Sequence, residues 1–60
     1  MTDQLLSRSE VEKIVGLKKS AIYERLAADN FPQPVRFRDT RRVRWWRSKI
    51  EQWLEDQLVG

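Results

Sequence analysis

Val-Glu-Lys-Ile-Val-Gly-Leu-Lys-Lys-Ser-Ala-Ile-Tyr-Glu-Arg-Leu, residues 11–26, decides how the rest of the chain is read. Val11, Ile14 and Val15 recur at helical spacing and give a first helix one apolar side. Gly16 then stops that helix, because glycine adopts the left-handed conformation without a Cβ penalty. Leu17 is expected as a buried plug in the turn. Ala21, Ile22 and Leu26 resume helical spacing and leave Lys18, Lys19, Ser20, Tyr23 and Glu24 facing outward. Two helices joined at a tight glycine turn, the second presenting Lys, Ser and Tyr, form the pattern of a helix-turn-helix DNA reader. A plain helical hairpin with a solvated charged face has the same spacing.

The first helix is expected from about Arg8 to Val15. Ser7-Arg8-Ser9-Glu10 reads as a capping box at its start. Arg8, in the first turn, is either a phosphate contact or a solvated side chain. Met1 to Gln4 reads as a frayed end. At least one of Leu5 and Leu6 is expected to pack on the core as the chain enters the helix. The second helix is expected from about Lys18 to Ala28, with Asn30 as a left-handed cap. Its positive dipole end together with Lys18 and Lys19 makes a phosphate site. Ser20 and Tyr23, one turn apart, are expected to contact base edges and backbone; for Tyr23 the alternative is packing on the core rim.

Phe31-Pro32-Gln33-Pro34 reads as a rigid extended connector, with Phe31 as an anchor under the second helix. Val35-Arg36-Phe37 and Val43-Arg44-Trp45 alternate apolar and charged residues, the period of half-buried strands. Val35, Phe37, Val43 and Trp45 are expected to face the core, and Arg36 and Arg44 to face outward together. Arg38-Asp39-Thr40-Arg41-Arg42 is then a cationic hairpin loop, with Asp39 and Thr40 able to bond locally. Such a loop is either a nucleic-acid contact or an edge charged against aggregation. Ser48-Lys49-Ile50-Glu51 reads as a second capping box. Ile50, Trp53, Leu54 and Leu58 mark one face of a last helix, opposite an acidic side of Glu51, Glu55 and Asp56. An exposed Trp53 would instead indicate a dimer face. The expected order is helix, helix, strand, strand, helix. Its core would be Val11, Ile14, Leu17, Ile22, Leu26, Phe37, Val43, Trp45, Trp53 and Leu54.

Composition narrows the function classes. Sixty residues suit one domain, here spanning residues 1–60, near the low end of what folds unaided. With no Cys and no His, the chain lacks a disulfide framework, the usual zinc ligands, the commonest general base and a thiol nucleophile. No catalytic residues, metal or cofactor are expected. No apolar run reaches membrane-spanning length and no signal peptide is read, so a cytoplasmic location is expected. The net charge of +3 is unevenly spread. Residues 1–30 balance to zero, residues 31–49 carry +6 and residues 50–60 carry −3. Six of the seven central cations are Arg, whose planar fork suits phosphates and base edges. A local field of this kind attracts polyanions.

Three segments, taken together, resemble a known family. Ser-Glu-Val-Glu-Lys-Ile-Val-Gly-Leu-Lys-Lys-Ser-Ala-Ile-Tyr at 9–23, Phe-Pro-Gln-Pro-Val at 31–35 and Val-Arg-Trp-Trp-Arg-Ser-Lys-Ile-Glu-Gln-Trp-Leu at 43–54 are similar to the AlpA-type phage and prophage regulators. The resemblance runs from about Leu5 to Leu58. It implies a small MerR-like winged helix-turn-helix, mainly α with a small β-hairpin. The second helix would enter the major groove of double-stranded DNA and the hairpin would lie on the backbone or minor groove. The DNA-binding residues would be Lys18, Lys19, Ser20 and Tyr23 on that helix, and Arg36, Arg38, Arg41 and Arg42 on the wing. Such proteins act as transcriptional regulators of prophage genes or as excisionases. The latter role adds DNA bending, self-association on DNA and a recombinase partner. The chain departs from the family pattern in two places. Lys18 stands where a helix-capping Ser is usual, and Arg38-Asp39-Thr40 stands where the wing usually has a Gly. A reading of a different class is a protein-interaction adaptor using the acidic last helix.

Overall fold

The computed structural model describes residues 2–39 and 41–58. Thr40 and the ends of the expected 1–60 domain, Met1, Val59 and Gly60, therefore lie outside the described residues. The element order is β1 (Leu5–Leu6), α1 (Arg8–Val15), α2 (Lys19–Ala27), β2 (Val35–Arg36), β3 (Val43–Trp46) and α3 (Arg47–Gln57). Three helices with a small antiparallel sheet are consistent with a winged helix-turn-helix.

Helix α1 has the predicted bounds and cap. The Ser7 hydroxyl accepts from the Glu10 amide at 3.3 Å, and the Ser7 amide donates to Glu10 Oε1 at 2.9 Å. That donated bond, with Arg44 and Lys13 nearby, holds the Glu10 carboxyl below its ordinary range. Gly16 ends the helix with φ 72°, and its amide bonds Glu12 at 2.8 Å. Leu17 is half-buried and packs against the core. Arg8 pairs with Glu12 at 3.0 Å along the helix.

Helix α2 ends in a Schellman motif, whose left-handed residue is Asp29, not Asn30. Asp29 has φ 57°, which aspartate tolerates better than most residues. The Asn30 amide bonds the Arg25 carbonyl at 2.7 Å and the Asp29 amide bonds Leu26 at 3.0 Å. The chain closes one residue earlier than the sequence suggested, since the geometry needs the left-handed residue directly after Ala28.

The sheet has three strands rather than two, in the order β1-β3-β2. Leu5 and Leu6 form a strand before the helix, pairing with Trp46 and Trp45 respectively. Leu6 and Trp45 share the buried face, while Leu5 and Trp46 share the outer one. On the other side of β3, Val35 pairs with Arg44 and Arg36 with Val43. Directly opposed residues share a face. Arg36 and Arg44 are therefore on opposite faces, and Val35 lies with Arg44 away from Trp45. In β3 Val43 and Trp45 share the core side as expected, but β2 is inverted, with Arg36 and not Val35 on the Trp45 side, because the register is one residue off the expected pairing.

The core consists of Leu6, Val11, Ile22, Phe31, Trp45 and Ile50. Ile14, Val15, Leu17, Leu26, Val43 and Trp53 pack partly buried against it. Phe37, expected inside, is 44% exposed, because the β2 register turns this side of the strand away from Trp45, while Phe31 is buried. Phe31 meets Trp45 edge-on at 6.3 Å and Trp53 at 4.7 Å. Leu54 is half-buried, and Leu58 is exposed just beyond the last helical residue. Trp53 is half-buried under Arg25, whose guanidinium sits 5.7 Å from the ring centroid, rather than presented as a dimer face.

The expected capping box at Ser48 does not form. Helix α3 starts at Arg47, two residues too early for Ser48 to be its N-cap, and Trp46 offers no side-chain cap. The N-terminal arm caps the helix instead. The Arg47 amide bonds the Gln4 carbonyl at 2.7 Å, continuing the β1 pairing. Asp3 accepts from both the Ser48 amide, at 3.0 Å, and the Ser48 hydroxyl. The segment expected to fray is thus tied down. The Ser48 hydroxyl, ahead of the backbone bonds, holds the Asp3 carboxyl below its ordinary range. A carboxyl whose folded pKa is depressed stabilises the fold above its unfolded pKa, and that stabilisation is lost as pH falls through the folded value. Asp3→Ala is expected to lower the melting temperature at pH 7. The gap from the parent should close as acid is added through and below the usual aspartate range, as followed by circular dichroism melts.

Candidate nucleic-acid interface

Two exposed sets of side chains stand on separate elements. On α2, Lys18 is the N-cap residue, Lys19 and Ser20 occupy the first helical positions, and Tyr23 lies one turn beyond Ser20. Lys18, Lys19 and Ser20 are exposed, and the Tyr23 ring is 40% exposed. Helix α2 forms here because Lys18 is extended (φ −92°, ψ 170°) just after the glycine turn, and the Ile22 amide bonds the Lys18 carbonyl at 3.0 Å.

The start of α2 differs chemically from the other two helix starts. Helix α1 has its capping box and α3 has Asp3. At α2, Lys18 makes no side-chain cap bond and the first turn holds no acidic residue. The leading amides of a helix need partners from outside its own ladder. Two lysines and a serine surround them, so an anion can supply those bonds with the helix dipole in its favour.

The second set is the hairpin. Arg36 lies in β2, Arg38 in the turn, and Arg41 and Arg42 on the return toward β3. All four are exposed. The fold brings them onto the two sides of one loop. Arg44, by contrast, is half-buried and bonds the Val43 carbonyl at 3.1 Å. Two indoles fix the connector between the sets. Trp45 Nε1 donates to the Pro32 carbonyl at 2.9 Å, and Trp53 Nε1 donates to the Asn30 carbonyl at 3.0 Å. The chain leaving α2 and entering β2 is therefore anchored at two points.

The chain matches the family model described as prophage CP4-57 regulatory protein (AlpA) over residues 4–58. It belongs to the AlpA family. No curated protein and no solved structure matches it.

The match runs through every element of this AlpA-family chain. Among the described residues, no group of His, Cys, Asp and Glu could hold a metal ion, and no helix is long and apolar enough to cross a membrane. Two exposed aromatics escaped the sequence reading. Trp46 is 39% exposed on the outer face of the sheet beside Leu5, and Phe37 projects at the base of the arginine loop. The shortness of β2 was the available signal for Phe37. Pro34 sits immediately before the strand and Arg38 begins the turn, which leaves little room for a third paired residue.

The missing side-chain cap at Lys18 gives a direct expectation. The backbone there already has N-cap geometry, so Lys18→Ser should add a hydroxyl cap and stabilise the fold by about 0.5–1 kcal/mol. A melt showing no gain would mean that the α2 amides are satisfied in some other way.

Proposed function

We propose that this chain binds double-stranded DNA sequence-specifically as a small prophage-type transcriptional regulator, with no catalytic activity and as one binding unit. The observation that carries this reading is the start of α2. Its amides lack a side-chain cap and are surrounded by exposed Lys18, Lys19 and Ser20. Membership in a family described by a prophage regulatory protein supports the biological setting. Lys18 holds a phosphate, and Lys19, Ser20 and Tyr23 read bases in the major groove, where the first residues of a recognition helix reach them. Arg36, Arg38, Arg41 and Arg42 lie along the backbone as a wing. The +6 charge of residues 31–49 supplies sequence-independent attraction.

Footprinting on prophage-derived fragments tests the proposal. A single protected site near a promoter is the expected result. Tandem sites beside an attachment site would assign the same surface to excision, with a recombinase partner and self-association on DNA. Absence of any footprint would overturn DNA binding and favour an adaptor role for the acidic side of α3.

Specificity and affinity are expected to separate by element. Lys19→Ala or Ser20→Ala should reduce the preference for the protected site over random duplex by about 1–3 kcal/mol, measured by competition binding. Equal loss on both DNAs would restrict these residues to phosphate contacts.

Replacing Arg38, Arg41 and Arg42 together with Ala should flatten the log–log salt dependence of binding by about 2–3 units and weaken all sequences alike. A salt titration on the folded variant checks this. An unchanged slope would remove the wing from the interface.

A further inference from the structure

The loop that carries the wing arginines also carries an apolar group that neither the core nor the charge pattern accounts for. Phe37 follows Arg36 and precedes Arg38, and its ring is 44% exposed. It is not part of the core, where Phe31 is the phenylalanine that meets Trp45 and Trp53. A ring this exposed gains little from the folded state alone. If cations draw phosphates to both sides of the loop, the ring is carried to the groove between them. Phenylalanine is one of the apolar wedges that proteins insert between base steps from the minor groove, partly unstacking and kinking the duplex.

We infer that Phe37 is such a wedge: a specificity-determining contact that enters the minor groove beside the wing arginines and kinks the DNA. The inference rests on the DNA-binding reading above. Sequence selection through Phe37 would follow deformability rather than hydrogen bonding, favouring easily unstacked pyrimidine–purine steps under the wing.

The test uses Phe37→Ala and Phe37→Leu on the duplex protected by the parent protein, labelled at both ends for fluorescence energy transfer. A second copy of the duplex carries a mismatch under the wing. Phe37→Ala should bind the matched duplex about tenfold more weakly and lose the bend. Its salt slope should stay unchanged, because an apolar contact releases no counterions. The parent should bind the mismatched duplex more tightly than the matched one, and Phe37→Ala should not. Phe37→Leu should keep much of the bend, since leucine also wedges. The exposed ring makes loss of folding an unimportant outcome, and a circular dichroism melt confirms it. A folded Phe37→Ala variant that bends and binds as the parent does would overturn the wedge while leaving the regulator reading intact. A parent protein that protects no duplex would overturn both.

Discussion

Trp45 is the side chain that the remaining packing depends on. It sits in the central strand, is fully buried, and touches the structure through both its ring and its N–H. Burying an aromatic ring of this size removes roughly 150–250 Å² from water, worth about 4–6 kcal/mol at ~25 cal/mol per Å². That is comparable to the whole net stability of a small domain. Its indole N–H would carry a desolvation penalty if unpaired, and the Pro32 carbonyl removes it. One residue thereby couples the sheet to the connector. Phe31 extends the coupling to Trp53 and α3, and Trp53 returns it to Asn30 at the end of α2. The orientation of α2 relative to the hairpin is set by this aromatic path and not by the connector's prolines alone.

Local patterns were readable in the sequence and long-range pairings were not. The bounds of α1, its capping box and the left-handed Gly16 depend on residues within four positions of one another, and the spacing of side chains specifies them. The missed strand β1 and the misread cap of α3 each involve a partner far along the chain, whereas Asp29 in place of Asn30 is a local miss of one position. Asp3 caps a helix 45 residues away, and no local motif announces it. Leu5-Leu6 is too short to show a strand period, and becomes a strand only because β3 offers an edge. The register of β2 with β3 follows from where the connector is anchored, at Pro32 and Asn30, and those contacts cannot be counted from the alternation of Val and Arg. Phe37 and Phe31 illustrate the same limit. Both are equally apolar and both were expected inside, yet only Phe31 lies where it meets Trp45 and Trp53.

The proposed interface residues fared differently because exposure is itself a local property. All eight sequence-derived residues stand outside the core, on the start of α2 and along the hairpin. Lys19 and Ser20 are exposed because they open α2 at its free end, and Tyr23 lies at the rim beside the buried Ile22 and half-buried Leu26. What the spacing could not convey is the chemical state of the helix start. Lys18 occupies a backbone position that favours Ser, Thr, Asp or Asn, so the chain gives up local stabilisation there. Residues that break a local rule without compensation inside the fold are those most readily explained by something outside it.

The borrowed cap on α3 has a consequence for the order in which the molecule assembles. Asp3 and Gln4 lie near the beginning of the chain, and the helix start that they satisfy lies in its last quarter. Helix α1 and the glycine turn can form from neighbours alone, within the first third of the chain. Helix α3 gains its cap only when the two distant segments meet, and that meeting carries a loop-closure cost that short-range contacts avoid. During synthesis the arm waits, unpaired, until β3 and the beginning of α3 have left the ribosome. Locking of the last helix is thus expected late in folding, together with the pairing of β1 to β3. Extensions fused ahead of Asp3 would act first on that step, slowing closure of the fold before they disturbed any residue of the proposed interface.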